Sequence, residues 1–420
     1  MVRALAFLIC MHGCLAAESR HVEAYPDTVS KKGLQVEMVD DALTLGVKHA
    51  ALNVNLSQLV DPGRDSGEPT WKAYGKTFRF KEPAVERLDR KIKELSDHGV
   101  VVNLVILAYH SGNEEIDRLM LHPDFDAKAP NRLGAFNCAT AEGREWFTAT
   151  LGFLTERWSR PDRKYGRAVG YIIGNEVNSH WWWSNRGKTT FDAFAADYLQ
   201  TVRLAHAAVR QQSSCARVYV SLEHHWNIRY GAGDAEQAFP GRHLVDYFAK
   251  EAKDFDWHLA FHPYPENLFE PRFWNDKTAT TSPDTPRITF KNLEVLTDYF
   301  SREELLFSGK RRRIILSEQG FHTPDGPDGE TIQAAAYCYA YRRVAGLDGI
   351  DSFILHRHVD HPHEGGLRLG LRRRDGDARP EKRIYDCFLN ADQENWREAF
   401  AFALPVTGLK AWPTDVSKRK

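Results

Sequence analysis

Short runs of apolar, often β-branched residues alternate along this chain with longer segments whose apolar positions recur every three or four residues. The strand-like runs begin at Gly33-Leu34-Gln35-Val36 and continue at Val47–Val54, Val100–Leu107, Ala168–Ile173, Arg217–Leu222, Trp257–Phe261, Ile314–Leu316 and Gly349–Leu355. They read as near-continuous apolar stretches, the pattern of parallel strands covered on both faces. Between them lie amphipathic segments at Pro83–His98, Ala141–Trp158, Phe191–Gln212, Arg242–Lys253, Phe290–Phe300 and Gly329–Gly346. In the first of these, Pro83 suits a helix start and Val85, Leu88, Ile92 and Leu95 share one face. Eight strands, each followed by a helical segment, predict a (β/α)₈ TIM barrel with enlarged βα loops. The enlargements are expected at Asp61–Lys81, Ser111–Thr140, Asn178–Thr190 and Glu266–Phe290, and the tail from Ile384 is expected to hold the last helix and a trailing segment. A doubly wound open sheet is the competing architecture, but no Gly-x-Gly-x-x-Gly follows the early strands.

Residues 1–17 stand apart. Arg3 precedes an apolar run from Ala4 to Met11, and small residues close the segment at Ala16-Ala17. This is the pattern of a secretory signal peptide, too short for a membrane span. A secreted or periplasmic protein is therefore expected, with one barrel domain over 18–420. Lys and Arg number 56 and Asp and Glu 57, a net charge of −1 that argues against a nucleic-acid partner. Cys138, Cys215, Cys338 and Cys387 are widely spaced, fit no metal or redox motif, and leave disulfides and free thiols equally open. Oligomeric state is unreadable.

Chemistry in such a barrel collects where the strands end. Seven of the predicted strands turn polar or aromatic there: Asn53-Val54-Asn55, Tyr109-His110, Gly174-Asn175-Glu176, Glu223-His224-His225-Trp226, His262-Pro263-Tyr264, Ser317-Glu318-Gln319 and His356-Arg357-His358. Glu176 follows strand four and Glu318 follows strand seven, so the two face each other across the mouth. Opposed carboxylates, one held protonated and the other ionised, are the pair that cleaves a glycosidic bond. Asn55, His110, Trp182, His225, Trp226, His356 and His358 are the candidate sugar contacts beside them, with Trp226 as a stacking platform. No cofactor or metal is called for; a carbohydrate is the expected partner.

The segments Asn175-Glu176 and Ile314-Ile315-Leu316-Ser317-Glu318-Gln319-Gly320 together resemble the clan A glycoside hydrolases, retaining (β/α)₈ enzymes, over roughly 33–390. The stretch Gly174-Asn175-Glu176-Val177-Asn178-Ser179-His180-Trp181-Trp182-Trp183 also resembles an uncharacterised bacterial family with such a barrel. The clan resemblance implies Glu176 as acid/base and Glu318 as nucleophile. It implies Asn175 on the sugar 2-hydroxyl, and His262 or Tyr264 holding the nucleophile. The chain departs from the clan in lacking a Trp after strand eight and an Arg at the end of strand two.

Two other classes compete. The run His356, His358, Asp360, His361, His363 and Glu364 offers donors for a metal-dependent barrel hydrolase, although such enzymes usually carry their His-x-His pair on strand one. A non-catalytic carbohydrate-binding barrel is the other, disfavoured because a binder has no need of a second carboxylate. Arg372-Arg373-Arg374 after strand eight is a possible contact for an anionic sugar, whereas Lys310-Arg311-Arg312-Arg313 precedes strand seven and reads as a solvated loop.

Overall fold

The computed structural model describes residues 23–231 and 234–413, so the leader-like segment lies outside the described residues. Eight parallel strands close into a barrel: β1 (Lys32–Gln35), β2 (His49–Asn55), β3 (Val101–Tyr109), β4 (Gly170–Ile173), β5 (Arg217–Glu223), β6 (Trp257–His262), β7 (Ile314–Gln319) and β8 (Ile350–Leu355). Each pairs with the next, and β8 returns to β1 with Lys32 opposite Phe353. A helix follows each strand: α1 (Val39–Thr44), α2 (Glu82–Asp97), α3 (Ala141–Ser159), α4 (Phe191–Gln212), α5 (Gly241–Glu251), α6 (Leu293–Tyr299), α7 (Gly329–Ala345) and α8 (Arg383–Asn390). The first helix is six residues long and carries no clear periodic signal, which is why the sequence pattern passes over it.

The two faces of the sheet bury different things. Outward-facing residues such as Val218, Val220 and Leu222 of β5 join the main core beneath the helices. On α2 the buried Val85, Ile92 and Leu95 meet that layer, each worth roughly 1.5–3 kcal/mol relative to exposure. Inward-facing Ala51, Val105, Ile172, Tyr219, Ala260, Ile315 and Ile354 form a smaller plug inside the barrel. Gly33 belongs to the same interior: a Cβ there would lie 2.8 Å from the Ile354 side chain.

The N-terminal end of the barrel is sealed by the segment before β1. Tyr25 stacks under the Arg217 guanidinium at 3.6 Å and its hydroxyl lies 3.3 Å from that of Tyr219. The loops at the opposite end are long. The loop after β2 folds into an antiparallel hairpin pairing Thr70–Ala73 with Lys76–Arg79, and the loop after β3 carries a short helix at Glu114–Met120. Among the described residues no helix is long and apolar enough to cross a membrane. The four described cysteines are free thiols.

Candidate active site

A cleft of about 1320 Å³ opens at the C-terminal ends of the strands, with Glu176 and Glu318 in its wall. Glu176 reaches it through an unusual backbone. After Ile173 the chain passes through Gly174 at φ +80° and brings Glu176 itself into the left-handed region at φ 42°, ψ 47°. A non-glycine residue there carries strain that the surroundings must hold, a feature common at functional sites. The Glu176 amide donates to Ser221 Oγ at 3.1 Å, which ties the turn to β5. Glu318 is aimed by a different device. The pairing of β7 with β8 loses register between Leu316 and Gln319, and such an irregularity redirects the side chains beside it. Ser317 and Glu318 therefore both engage the mouth of the barrel.

Carboxylate oxygens of Glu176 and Glu318 and a ring nitrogen of His262 all lie within 4.8 Å of one another. His262 Nδ1 pairs with Glu176 Oε1 at 2.9 Å and its Nε2 with Ser317 Oγ at 3.0 Å. The Tyr264 hydroxyl donates to Glu318 Oε1 at 3.2 Å. The two strand-six groups thus divide the labour, His262 steadying Glu176 and Tyr264 steadying Glu318. Burial pushes the Glu176 pKa up; the His262 contact opposes this, while the charges of Glu318 and Glu223 add to it. Burial would push His262 down, but its bond to Glu176 and the charge of Glu318 win, and it is raised. Both shifts keep protons on this pair.

Beside them stands a third carboxylate, Glu223, which sequence reasoning passed over. Its oxygens accept from Asn178 Nδ2 at 2.6 Å, Ser179 Oγ at 2.8 Å, the His225 amide at 2.9 Å and His225 Nδ1 at 2.5 Å. Burial works to raise its pKa, yet the His225 imidazole and these donors hold it at about 2. A signal was present: counting by twos along β5 from the interior Tyr219 passes through Ser221 to Glu223. His225 is thereby spoken for, since its Nε2 also faces Arg287 at 3.2 Å.

The other predicted residues are placed as follows. Asn175, Asn55, Trp182, Tyr264, His356 and His358 all line the cleft. Asn175 makes no side-chain hydrogen bond to any described residue, which leaves it free for a ligand. Asn55 is partly committed, its Oδ1 accepting from the Ser57 and Tyr109 amides. Trp182 packs edge-on against Tyr230 with ring centres 4.7 Å apart, forming one aromatic wall. The exposed Leu268 and Phe269 also line the cleft. His356 bonds to Gln35 and lies 3.5 Å from Glu364. Burial would raise Glu364, but His356 and Arg357 hold it at about 2.

Three placements depart from expectation. Trp226 is fully buried, packed edge-on against Tyr299 in the main core, and is not a sugar platform. Its amide and that of Asn227 both bond to Pro286 O, which turns the chain away from the mouth. His358 has no free nitrogen: Nδ1 accepts from the Glu37 and Met38 amides, so Nε2 donates to Asp41 at 2.7 Å. His110 sits outside the cleft in an adjoining groove, between Arg132 and Asp117. The basic run after β8 is also spent. Arg372 pairs with Asp41 and Arg373 with Glu330, while Arg374 lies 3.5 Å from Glu37.

Among the described residues two groups have the spacing to hold a metal ion: Glu176, His262 and Glu318, and Glu223, His224 and His225. Neither draws on the run from His356 to Glu364. In the second group Glu223 already accepts four hydrogen bonds, and an ion would have to displace them. In the first, both His262 nitrogens are engaged.

The fold and this arrangement define a (β/α)₈ barrel with two opposed carboxylates at its mouth. Residues 24–414 match the model of a family of unknown function, DUF5722, and the chain belongs to that family. No curated protein sequence matches the chain. Solved structures show the same fold. One is a family 39 glycoside hydrolase from the gut symbiont Bacteroides cellulosilyticus WH2, with 14% identity and a TM-score of 0.59 over 89% of this chain. The match spans 65% of that enzyme's length. A hyperthermophilic β-glucosidase from Pyrococcus furiosus matches over 88% of this chain and 86% of its own, at 15% identity and a TM-score of 0.53. A family 1 β-glucosidase from Thermotoga maritima matches over 86% and 85%, at 12% identity and a TM-score of 0.52.

Proposed function

We propose that the protein is a retaining glycoside hydrolase acting on an oligo- or polysaccharide. The observation that carries this reading is the approach of the Glu176 and Glu318 oxygens to within 4.8 Å at the barrel mouth. Carboxyl groups about 5–5.5 Å apart suit double displacement, whereas an inverting enzyme needs about 6.5–9.5 Å to fit a water. The glycosidases among the structural neighbours are in keeping with it.

In the first step Glu318 attacks the anomeric carbon while Glu176 gives its proton to the departing glycosidic oxygen. The C–O bond of the linkage breaks as an ester bond to Glu318 forms. In the second step Glu176, now ionised, takes a proton from water, whose oxygen displaces Glu318 from the anomeric carbon. The raised Glu176 pKa suits the first role and its loss of a proton the second. Tyr264 orients Glu318, and Asn175 is free to bond the sugar 2-hydroxyl. Trp182 gives an apolar face on which a pyranose stacks.

Glycan screening tests the reading. Reducing-sugar release that disappears in both Glu176→Gln and Glu318→Gln supports it. Release that survives either change overturns it. Activity lost to a chelator and restored by zinc would favour metal-dependent hydrolysis instead. Export is part of the same proposal, and recovery of exported protein still beginning at Met1 would contradict the cleaved leader.

A further inference from the structure

The cleft does not end at the two carboxylates. It runs on, past Asn53, Asn55, Gln58, Arg87 and Tyr109, into a second groove of about 1130 Å³ between the loops after β2 and β3. Those five residues line both spaces, so one extended ligand can occupy them together. The groove wall carries four strong cations, Arg64, Lys81, Arg87 and Arg132, against two acids, Asp61 and Glu82.

These cations differ from the arginines that follow β8. None of the four makes an ion pair with a carboxylate among the described residues. Arg64 reaches only the Glu68 carbonyl at 3.5 Å, and Arg132 only His110 Nδ1 at 2.9 Å. Lys81 and Arg87 have no side-chain partner there. By contrast Arg357 is held by Glu364, Arg368 by Asp325 and Arg372 by Asp41. Those three arginines are neutralised by the carboxylates beside them. The groove leaves its own cations accessible, next to the substrate path.

The geometry points to a subsite for acidic sugars: the groove takes glycan units bearing a carboxylate or a sulfate ester, bound by Lys81 and Arg87 and flanked by Arg64 and Arg132. Guanidinium and ammonium groups bind both anions through charge-assisted hydrogen bonds. This inference rests on the hydrolase reading for the meaning of the cleft, and it narrows the substrate from any glycan to an anionic one.

Calorimetry on the full chain carrying Glu318→Gln tests it. The probes are uronate oligosaccharides of several linkages, sulfated galactan oligosaccharides and neutral cello-oligosaccharides. At least one charged class is expected to bind more tightly than the neutral one, and to weaken as salt rises. The added changes Lys81→Gln and Arg87→Gln remove the charges but keep polar side chains and are expected to weaken that binding by about tenfold, leaving neutral binding unmoved. Whether the uronates or the sulfated probes respond identifies the anion. Equal binding of charged and neutral probes, no binding of either charged class, or charged binding indifferent to the double change overturns the groove. The hydrolase reading fails separately. Charged probes that bind but are not cleaved in a Glu318-dependent way keep the groove and remove hydrolysis. Glu318-dependent cleavage of neutral glycans, at a rate the double change leaves alone, does the reverse.

Discussion

The two ends of the barrel both bury charge, and they treat it in opposite ways. At the N-terminal end the buried charges stand in opposite-sign pairs. Asp351 accepts from Arg217 at 2.8 Å and from Arg313 Nε at 2.9 Å, and the wholly buried Lys32 meets Asp392 at 2.7 Å. At the C-terminal end like charges gather, with Glu176, Glu223 and Glu318 in one cleft wall. The first arrangement lowers the energy of the fold. The second gives up some stability to leave one carboxyl reluctant to ionise. The same contrast recurs at close quarters between neighbouring strands. Glu223 is fully furnished with donors and pinned at about 2, while Glu176, supported by one imidazole, is raised. Burial acts upward on both; the number of donors decides the outcome.

The sharpest way to break this comparison is to exchange the cost of the two ends. Glu318→Gln is expected to lower kcat by at least about 10³-fold, with thermal unfolding little changed, because the proposed role of the lost group is on substrate rather than in the fold. Asp351→Ala is expected to do the opposite. It leaves Arg217 and Arg313 without their carboxylate and costs about 2–3 kcal/mol of stability while kcat is kept. Urea titration of both variants beside their turnover checks the pair, and a loss of activity in Asp351→Ala at full folding would erase the distinction.

Acid provides a graded version. Asp41, Glu223 and Glu364 are held at about 2, below the ordinary carboxylate range, despite burial that acts to raise them. Folding therefore favours their ionised forms, and that contribution is complete above their unfolded pKa and lost as pH falls toward 2. Burial also holds His49 and His180 at about 4. These resist protonation in the folded state, so the unfolded chain binds more protons as pH drops below 6.5. Both effects have one sign and involve more groups than the opposing carboxyls, Glu176 and Asp276, which burial raises, so the urea midpoint is expected to fall from pH 6.5 to 3. A flat profile would mean that these groups are not held as described. In kinetics, Glu223→Gln removes a negative charge that helps keep Glu176 protonated. The alkaline limb of the rate profile should then move to lower pH.

The smallest effect expected is at the aromatic wall. Trp182→Ala should raise KM about three- to tenfold with kcat nearly kept, the worth of one ring contact. An equal fall in kcat would place Trp182 closer to the reacting atoms than the cleft wall.

The barrel was legible because each parallel strand is buried on both faces and so reads as an apolar run ending abruptly in polar residues. That abruptness located Glu176 and Glu318. It misled at β5, where the polar run continues past the strand. Residues through Glu223 keep the alternation that points odd positions inward, but Trp226 lies beyond it, where bonds to Pro286 set the direction. His358 was read by its neighbours in sequence, whereas its role is fixed by Asp41, 317 residues earlier in the chain. The basic groove was invisible for the same reason. Lys81 and Arg87 of the β2 side meet Arg132 of the β3 loop only when the barrel closes.

The most direct test of the central claim is covalent. Incubation of the protein with a panel of 2-deoxy-2-fluoro glycosyl fluorides, followed by intact mass and peptide mapping, should show one glycosyl group esterified to Glu318. An adduct on another residue, or turnover of a natural glycan that releases the inverted anomer, would contradict the two-carboxylate account.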